Sequence, residues 1–267
     1  MRAVVNAVLV LSAMGGLFGL ALAVASKLFA VKQDARYASL LDALPGANCG
    51  GCGFAGCAAY AQAILDGSAE LGRCAAGGQE TAEKLAALMG REPVLVEKRV
   101  AFVRCQGTDC KRKGDYVGIE DCLAAMKVAG NGPSACANGC LGFGNCTKVC
   151  RFGAISVRNG VAVVDQARCT GCMACQSACP RHVIVQIPAS AVQTLACANT
   201  DPGAKIRALC ENGCLGCRAC EKRCPSGAIS VRQNLAEIQY AACTACGQCA
   251  SACPRGLLKL GAPAAKR

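Results

Sequence analysis

The stretch GCLGCRACEKRCPSGAISV, residues 213–231, decides how this chain is read. It has a counterpart, GCLGFGNCTKVCRFGAISV at residues 139–157, and the two stand in a fixed register of 74 residues, Cys136 to Cys210. The register runs past the quoted text. Cys136, Cys140, Cys146, Cys150, Cys169, Cys172, Cys175 and Cys179 match Cys210, Cys214, Cys220, Cys224, Cys243, Cys246, Cys249 and Cys253. The second half of the chain therefore reads as one unit written twice, an internal repeat.

Three segments carry the full spacing C-x2-C-x2-C-x3-C-P: residues 169–180, 214–225 and 243–254. This is the two-cluster bacterial ferredoxin pattern. Three thiolates surround one face of a [4Fe–4S] cubane, and the fourth ligates the other cluster of the pair. The spacing predicts that this fourth cysteine opens a helix, that the proline turns the chain away, and that AISV at 154–157 and 228–231 is a short strand. Applied to the second copy, the rule joins Cys214, Cys217 and Cys220 to Cys253, and Cys243, Cys246 and Cys249 to Cys224. In the first copy it joins Cys169, Cys172 and Cys175 to Cys150. Cys140, Cys146 and Cys179 then lack a fourth ligand, because Phe143 stands where the repeat has Cys217. Either Cys136 substitutes, or the site holds an incomplete, three-iron cluster.

Composition agrees with metal ligation. The 267 residues include 25 cysteines, too many for an ordinary core and in too long a chain for a small secreted disulfide scaffold. There is no Trp, and aromatics are 4% of residues, so packing alone makes a weak core and ligation supplies part of the folding free energy. The formal charge of +12 reads as compensation for clusters of charge about −2 each. No basic stripe interleaved with aromatics points to nucleic acid.

A further group lies upstream in LPGANCGGCGFAGC, residues 44–57. Cys49, Cys52 and Cys57 have the spacing C-x2-C-x4-C, and Cys74 follows after AAYAQAILDG, which reads as a helix ending at Gly67. The glycines let backbone amides wrap a cluster. Four cysteines also suit tetrahedral zinc, but this glycine-rich spacing differs from the paired knuckles of a zinc ribbon.

Twenty cysteines thus belong to five [4Fe–4S] sites, if Cys136 fills the place left by Phe143. Cys105, Cys110, Cys122, Cys197 and Cys210 remain. Cys105, Cys110 and Cys122 sit together in residues 103–122, and Cys136, Cys197 or Cys210 would complete a sixth cluster with them. The alternative is that they are buried structural thiols. The two needs compete for Cys136.

At the N-terminus, residues 3–26 carry no charge. As a helix they span roughly 36 Å, enough to cross a ~30 Å hydrocarbon core. The run is longer than the ~7–15-residue apolar stretch of a signal peptide. Gly15 and Gly19 give a GxxxG spacing suited to close helix approach. Lys27, Lys32 and Arg36 follow the span, against Arg2 before it, which favours a cytoplasmic C-terminal part. No phosphate loop, dinucleotide fingerprint, nucleophile–base set or paired carboxylates stand out. His182, the one histidine, reads as a surface residue. These features describe an electron carrier with no substrate-transforming site of its own.

The order of a single span, LPGANCGGCGFAGC, GIEDC at 118–122 and ferredoxin modules resembles the B subunit of the Rnf complex, an ion-translocating ferredoxin:NAD oxidoreductase. The likeness covers essentially the whole chain and is to the long form with extra clusters. The glycine-rich group is also similar to the cluster domain of corrinoid iron–sulfur proteins. The resemblance implies a subunit of the inner membrane that exchanges electrons with soluble ferredoxin and passes them to other subunits, which hold the flavin and nicotinamide sites. The expected architecture is α+β: a transmembrane anchor (1–31), a glycine-rich [4Fe–4S] domain (32–90), a connecting segment (91–132), a first ferredoxin-like module (133–190), and a second module with its tail (191–267). The competing readings are a membrane-anchored polyferredoxin of another reductase and a zinc-binding structural protein.

Overall fold

The computed structural model describes residues 1–28, 34–107, 110, 112–114 and 116–260; Lys32 and the tail from 261 onward lie outside these. The chain divides into two units, Met1–Tyr37 and Ala38–Arg267. The first is dominated by helix α1 (Arg2–Leu28), whose stretch Val4–Lys27 has mean hydropathy 2.3 and is not covered by protein. By length and composition it can cross a membrane.

After α1 come α2 (Arg36–Ala43), α3 (Cys57–Leu65), a single 3-10 turn at Leu71–Arg73 and α4 (Gly78–Met89). The side chains of Leu40, Tyr60, Ile64 and Leu85 are fully buried. As expected, the chain leaves α3 through Asp66 and a left-handed Gly67 (φ 72°).

Next come β1 (Arg99–Val103), α5 (Cys122–Lys127), α6 (Asn145–Lys148), β2 (Ile155–Arg158), β3 (Val161–Val164), α7 (Ala174–Ser177) and β4 (Ile184–Pro188). β2 and β3 form a hairpin around Asn159 and Gly160, both with positive φ, the conformation a two-residue hairpin turn prefers. β1 pairs antiparallel with β4, Val103 opposite Ile184, so a strand from the segment read as a connector is built into this layer. β5 (Gln193–Leu195), α8 (Gly203–Leu209), α9 (Ala219–Arg223), β6 (Ile229–Arg232), β7 (Leu235–Ile238), α10 (Gln248–Ala252) and β8 (Leu258–Leu260) follow. β6–β7 is again a hairpin, and β5 pairs with β8, Leu195 opposite Leu258. The AISV segments are strands, as their composition predicts.

Each hairpin pair encloses a core in which cysteines and aliphatics mix. One contains Val100, Ile155, Ile184, Cys146, Cys169 and Cys175; the other Leu195, Ile229, Leu257, Cys214, Cys220 and Cys249. The expectation that the fourth cysteine of each motif opens a helix is corrected. Cys224 and Cys253 close α9 and α10, and the third cysteine of each motif lies inside the short helix. The third and fourth cysteines of a motif therefore part company: Cys220 lines one cavity with Cys214, Cys217 and Cys253, while Cys224 stands with Cys243 and Cys249.

Candidate functional site

Three cavities of nearly equal size hold most of the chemistry. One of about 380 Å³ is lined by Cys214, Cys217, Cys220 and Cys253. One of about 340 Å³ is lined by Cys150, Cys169, Cys172 and Cys175. These are two of the sets expected from the ferredoxin rule. The third, about 370 Å³, is lined by Cys140, Cys146, Cys179 and Cys122.

Cys122 is the difference from the sequence reading. It stands in the cavity that the motif leaves one thiol short at Phe143, and not with Cys105 and Cys110. A short chain of hydrogen bonds puts it there. Asp121 caps α5, its Oδ1 accepting from the Leu123 and Ala124 amides at 2.9 Å. Asn145, beside Cys146, donates to Asp121 Oδ2 at 2.7 Å and accepts from the Cys122 amide at 2.9 Å. These contacts hold the Asp121 carboxyl below the usual carboxylate range, the Ala124 amide first among them. Phe143 packs on Tyr116, ring centroids 5.1 Å apart.

In the glycine-rich group the structure gathers Cys49, Cys52, Cys57 and Cys74 within electrostatic reach of one another. Asn48 Oδ1 accepts from the Cys57 amide at 2.8 Å, pinning the start of α3. Tyr60, 1% exposed, donates to the Glu70 carbonyl at 2.7 Å and accepts from the Arg73 amide, which fixes the approach to Cys74. Burial pushes the Tyr60 hydroxyl up to about 12. Cys224, Cys243 and Cys249 likewise stand together. Cys217 and Cys246 are exposed, unlike the rest.

Cys136 does not join the Phe143 cavity. It stands in side-chain contact with Cys110, as does Cys210. Hydrogen bonds from Cys136 and Cys210 pull the Cys110 thiol down, and the same contacts push their own thiols up. Cys197 lies within reach of Cys105, and its Sγ accepts from the Cys214 amide at 3.3 Å. His182 is exposed.

The donor sets fit iron–sulfur cubanes. Among the described residues no three His, Cys, Asp or Glu converge closely enough for a single metal ion, as zinc with its ~2.3 Å sulfur bonds requires. A cubane spreads its four thiolates over four corners of a larger body. Burial pushes Cys146 up to about 12 and Cys175 and Cys220 up to about 11. As ligands these thiols would lose their protons and bind iron as thiolates. Amides already point at the sulfurs: Ala101 N to Cys169 Sγ and Ala154 N to Cys150 Sγ, both 3.3 Å. Sequence reasoning missed Asp121, Asn145 and Tyr60. Only Asp121, a helix cap before an apolar run, carries a local signal.

Residues 44–76 match the family described as an Fe-S cluster. Residues 168–228 and 213–257 match the 4Fe-4S dicluster domain. The chain is 43% identical over 245 residues to the B subunit of the Na(+)-translocating ferredoxin:NAD(+) oxidoreductase complex of Acetobacterium woodii, covering 89% of this chain and 73% of that one. It is 43% identical over 243 residues to the B subunit of the ion-translocating oxidoreductase complex of Methanosarcina acetivorans, covering 90% and 92%. To the B subunit of the proton-translocating ferredoxin:NAD(+) oxidoreductase complex of Clostridium ljungdahlii it is 42% identical, covering 91% and 87%.

Proposed function

We propose, because the chain belongs to the B-subunit family of ion-translocating oxidoreductase (Rnf) complexes, that it exchanges electrons with a soluble ferredoxin and relays them to the membrane-embedded subunits. Multiple [4Fe–4S] clusters and electron transfer within an ion-translocating complex come with that membership and with the dicluster match. Bound clusters supply one-electron chemistry, and the residues here hold and shield them.

Five ligand sets are assigned: Cys49, Cys52, Cys57 and Cys74; Cys150, Cys169, Cys172 and Cys175; Cys122, Cys140, Cys146 and Cys179; Cys214, Cys217, Cys220 and Cys253; and Cys224, Cys243, Cys246 and Cys249. The two ferredoxin-like modules are copies of one unit, supported by the register of 74 residues. α1 serves as a single-pass anchor in this reading, and the basic residues after it, Lys27 and Arg36 among them, support a cytoplasmic position for the cluster domains. The span has no ionisable side chain between Ala3 and Ser26, so ion movement belongs to partner subunits.

The observation that carries this reading is the trio of like-sized cavities, each lined by four cysteines. The test is anaerobic purification from detergent-extracted membranes, with iron, acid-labile sulfide and zinc determined per chain. Iron of about 20 atoms or more with matching sulfide is expected, together with co-purifying multi-span subunits and bleaching of the visible absorbance by reduced ferredoxin. Stoichiometric zinc with little iron would overturn the carrier reading. Iron without such subunits would move the chain to another membrane reductase.

A further inference from the structure

We propose that the side-chain amide of Gln193 donates a hydrogen bond to the cluster held by Cys224, Cys243, Cys246 and Cys249 and raises that cluster's reduction potential. This rests on the electron-carrier reading above and gives a role to a residue outside every cysteine motif.

Gln193 is 1% exposed, and neither its Nε2 nor its Oε1 has a hydrogen-bond partner among the described residues. A carboxamide taken out of water without partners is costly, so such a group marks a place where an acceptor belongs. Its Nε2 faces the last cluster loop: a Cβ at Gly247 would stand 3.9 Å from it. Gly247 lies between Cys246 and Cys249 and caps the start of α10.

The first module has the same arrangement with different side chains. Ala101 of β1 stands opposite Gln186 of β4, and Gln193 of β5 stands opposite Leu260 of β8, 74 residues after Gln186. Gln193 therefore takes the place of Ala101, and by the same register Gly247 takes the place of Met173. Ala101 and Met173 both line the cavity of Cys150, Cys169, Cys172 and Cys175. A small strand residue and a long loop residue are thus exchanged for a long strand residue and a bare loop. Backbone conformation does not require the glycine, because Met173 has φ 59° where Gly247 has φ 76°. The missing side chain at Gly247 instead leaves room for that of Gln193. An apolar chain such as Met would fill that room equally well, so the buried carboxamide is the part that volume does not explain.

The chemistry follows from charge. Reduction adds one electron, taking a cluster with four thiolates from about −2 to about −3. A donor aimed at a cluster sulfide or a ligating Sγ stabilises the more negative form more strongly, which raises the potential. At the matching place the first module presents a methyl group and a thioether, so the two copies of one unit differ by one side-chain donor.

The test uses the full-length protein, purified anaerobically in detergent, titrated with dithionite in the presence of mediators and followed by EPR. The component lost in Cys249→Ser identifies this cluster. Gln193→Met keeps the volume and removes the donor. It should retain the full iron content and move that component to lower potential. At the potential where the wild-type cluster is half reduced, the ratio of reduced to oxidised should fall roughly tenfold, about 59 mV for a one-electron couple. In the wild type, glutamine isotopically labelled at its side-chain nitrogen should give a nitrogen coupling and an exchangeable proton in the ENDOR spectrum of that component. Both should vanish in Gln193→Met. An unchanged potential with full iron overturns the proposal and leaves Gln193 a filler of space. Absence of the couplings in the wild type overturns it too, and decides the matter should Gln193→Met lose iron or fail to fold. A wild-type protein without iron fails the carrier reading itself, an outcome distinct from either.

Discussion

At the scale of single residues, Cys122 carries the most information, since from outside the motif it lines the cavity of Cys140, Cys146 and Cys179. Cys122→Ser is expected to leave the Cys140, Cys146 and Cys179 site with a three-iron cluster, read as a new EPR signal in the protein before reduction. Cys136→Ser should produce no such signal at this site; if it does and Cys122→Ser does not, the assignment is wrong. The spacing rule could not reach Cys122, because it acts within a loop of about a dozen residues. Cys122 is placed by the side chains of Asp121 and Asn145, contacts made only after folding. Asp121 allows a second test with a definite sign. Its pKa is lowered in the folded chain, so its contribution is present above the ordinary carboxylate range of ~3.9 and is lost as pH falls through its lower folded value. Asp121→Ala should therefore speed iron loss from this site by the same factor throughout roughly pH 5–8. A factor that changes across that range would mean that another group is responsible.

At the scale of elements, the ferredoxin motifs and their strands were readable because composition and spacing act locally. The AISV strands and the helix before Gly67 follow from that. β1 and β5 were not readable: their pairing to β4 and β8 joins residues far apart along the chain, and short apolar runs have no period to mark them. The small residue at the third position of each cluster loop shows how tightly these layers pack. Gly171, with φ 74°, sits so close to β1 that a Cβ would strike the Arg99 carbonyl. The last motif has Ala245 at the matching place, with φ 56°. A left-handed conformation costs a non-glycine residue roughly 1–2 kcal/mol. Ala245→Gly is expected to raise stability by about 1 kcal/mol, less any gain in unfolded-chain entropy, seen as a higher thermal midpoint with unchanged iron. Unchanged or lower stability would show that the strain is already relieved by the surrounding loop.

At the scale of the whole molecule, the glycine-rich group and the ferredoxin-type motifs lie within one compact unit, Ala38–Arg267, and touch. Gly51, inside the first group, lies so near Cys172 that a Cβ would stand 2.8 Å from its carbonyl oxygen. Arg151 donates to the Ala47 carbonyl at 2.5 Å across the same face. Cys49 is within electrostatic reach of Cys172. Gly51→Ala should force these two groups apart without removing any thiol. The expected result is full iron content with slowed re-oxidation of the glycine-rich domain's cluster when the ferredoxin modules are the electron sink. Unslowed transfer with full iron would show that the contact is not the route.

The exposure of Cys217 and Cys246 has a bearing on how such a chain ages. Dioxygen and peroxide reach sulfur and iron that face water before they reach buried ones. Damage in air should then begin at the two sets that contain these thiols, ahead of the sets whose cysteines are all buried or half-buried. The C-terminal motifs would take the first oxidative injury.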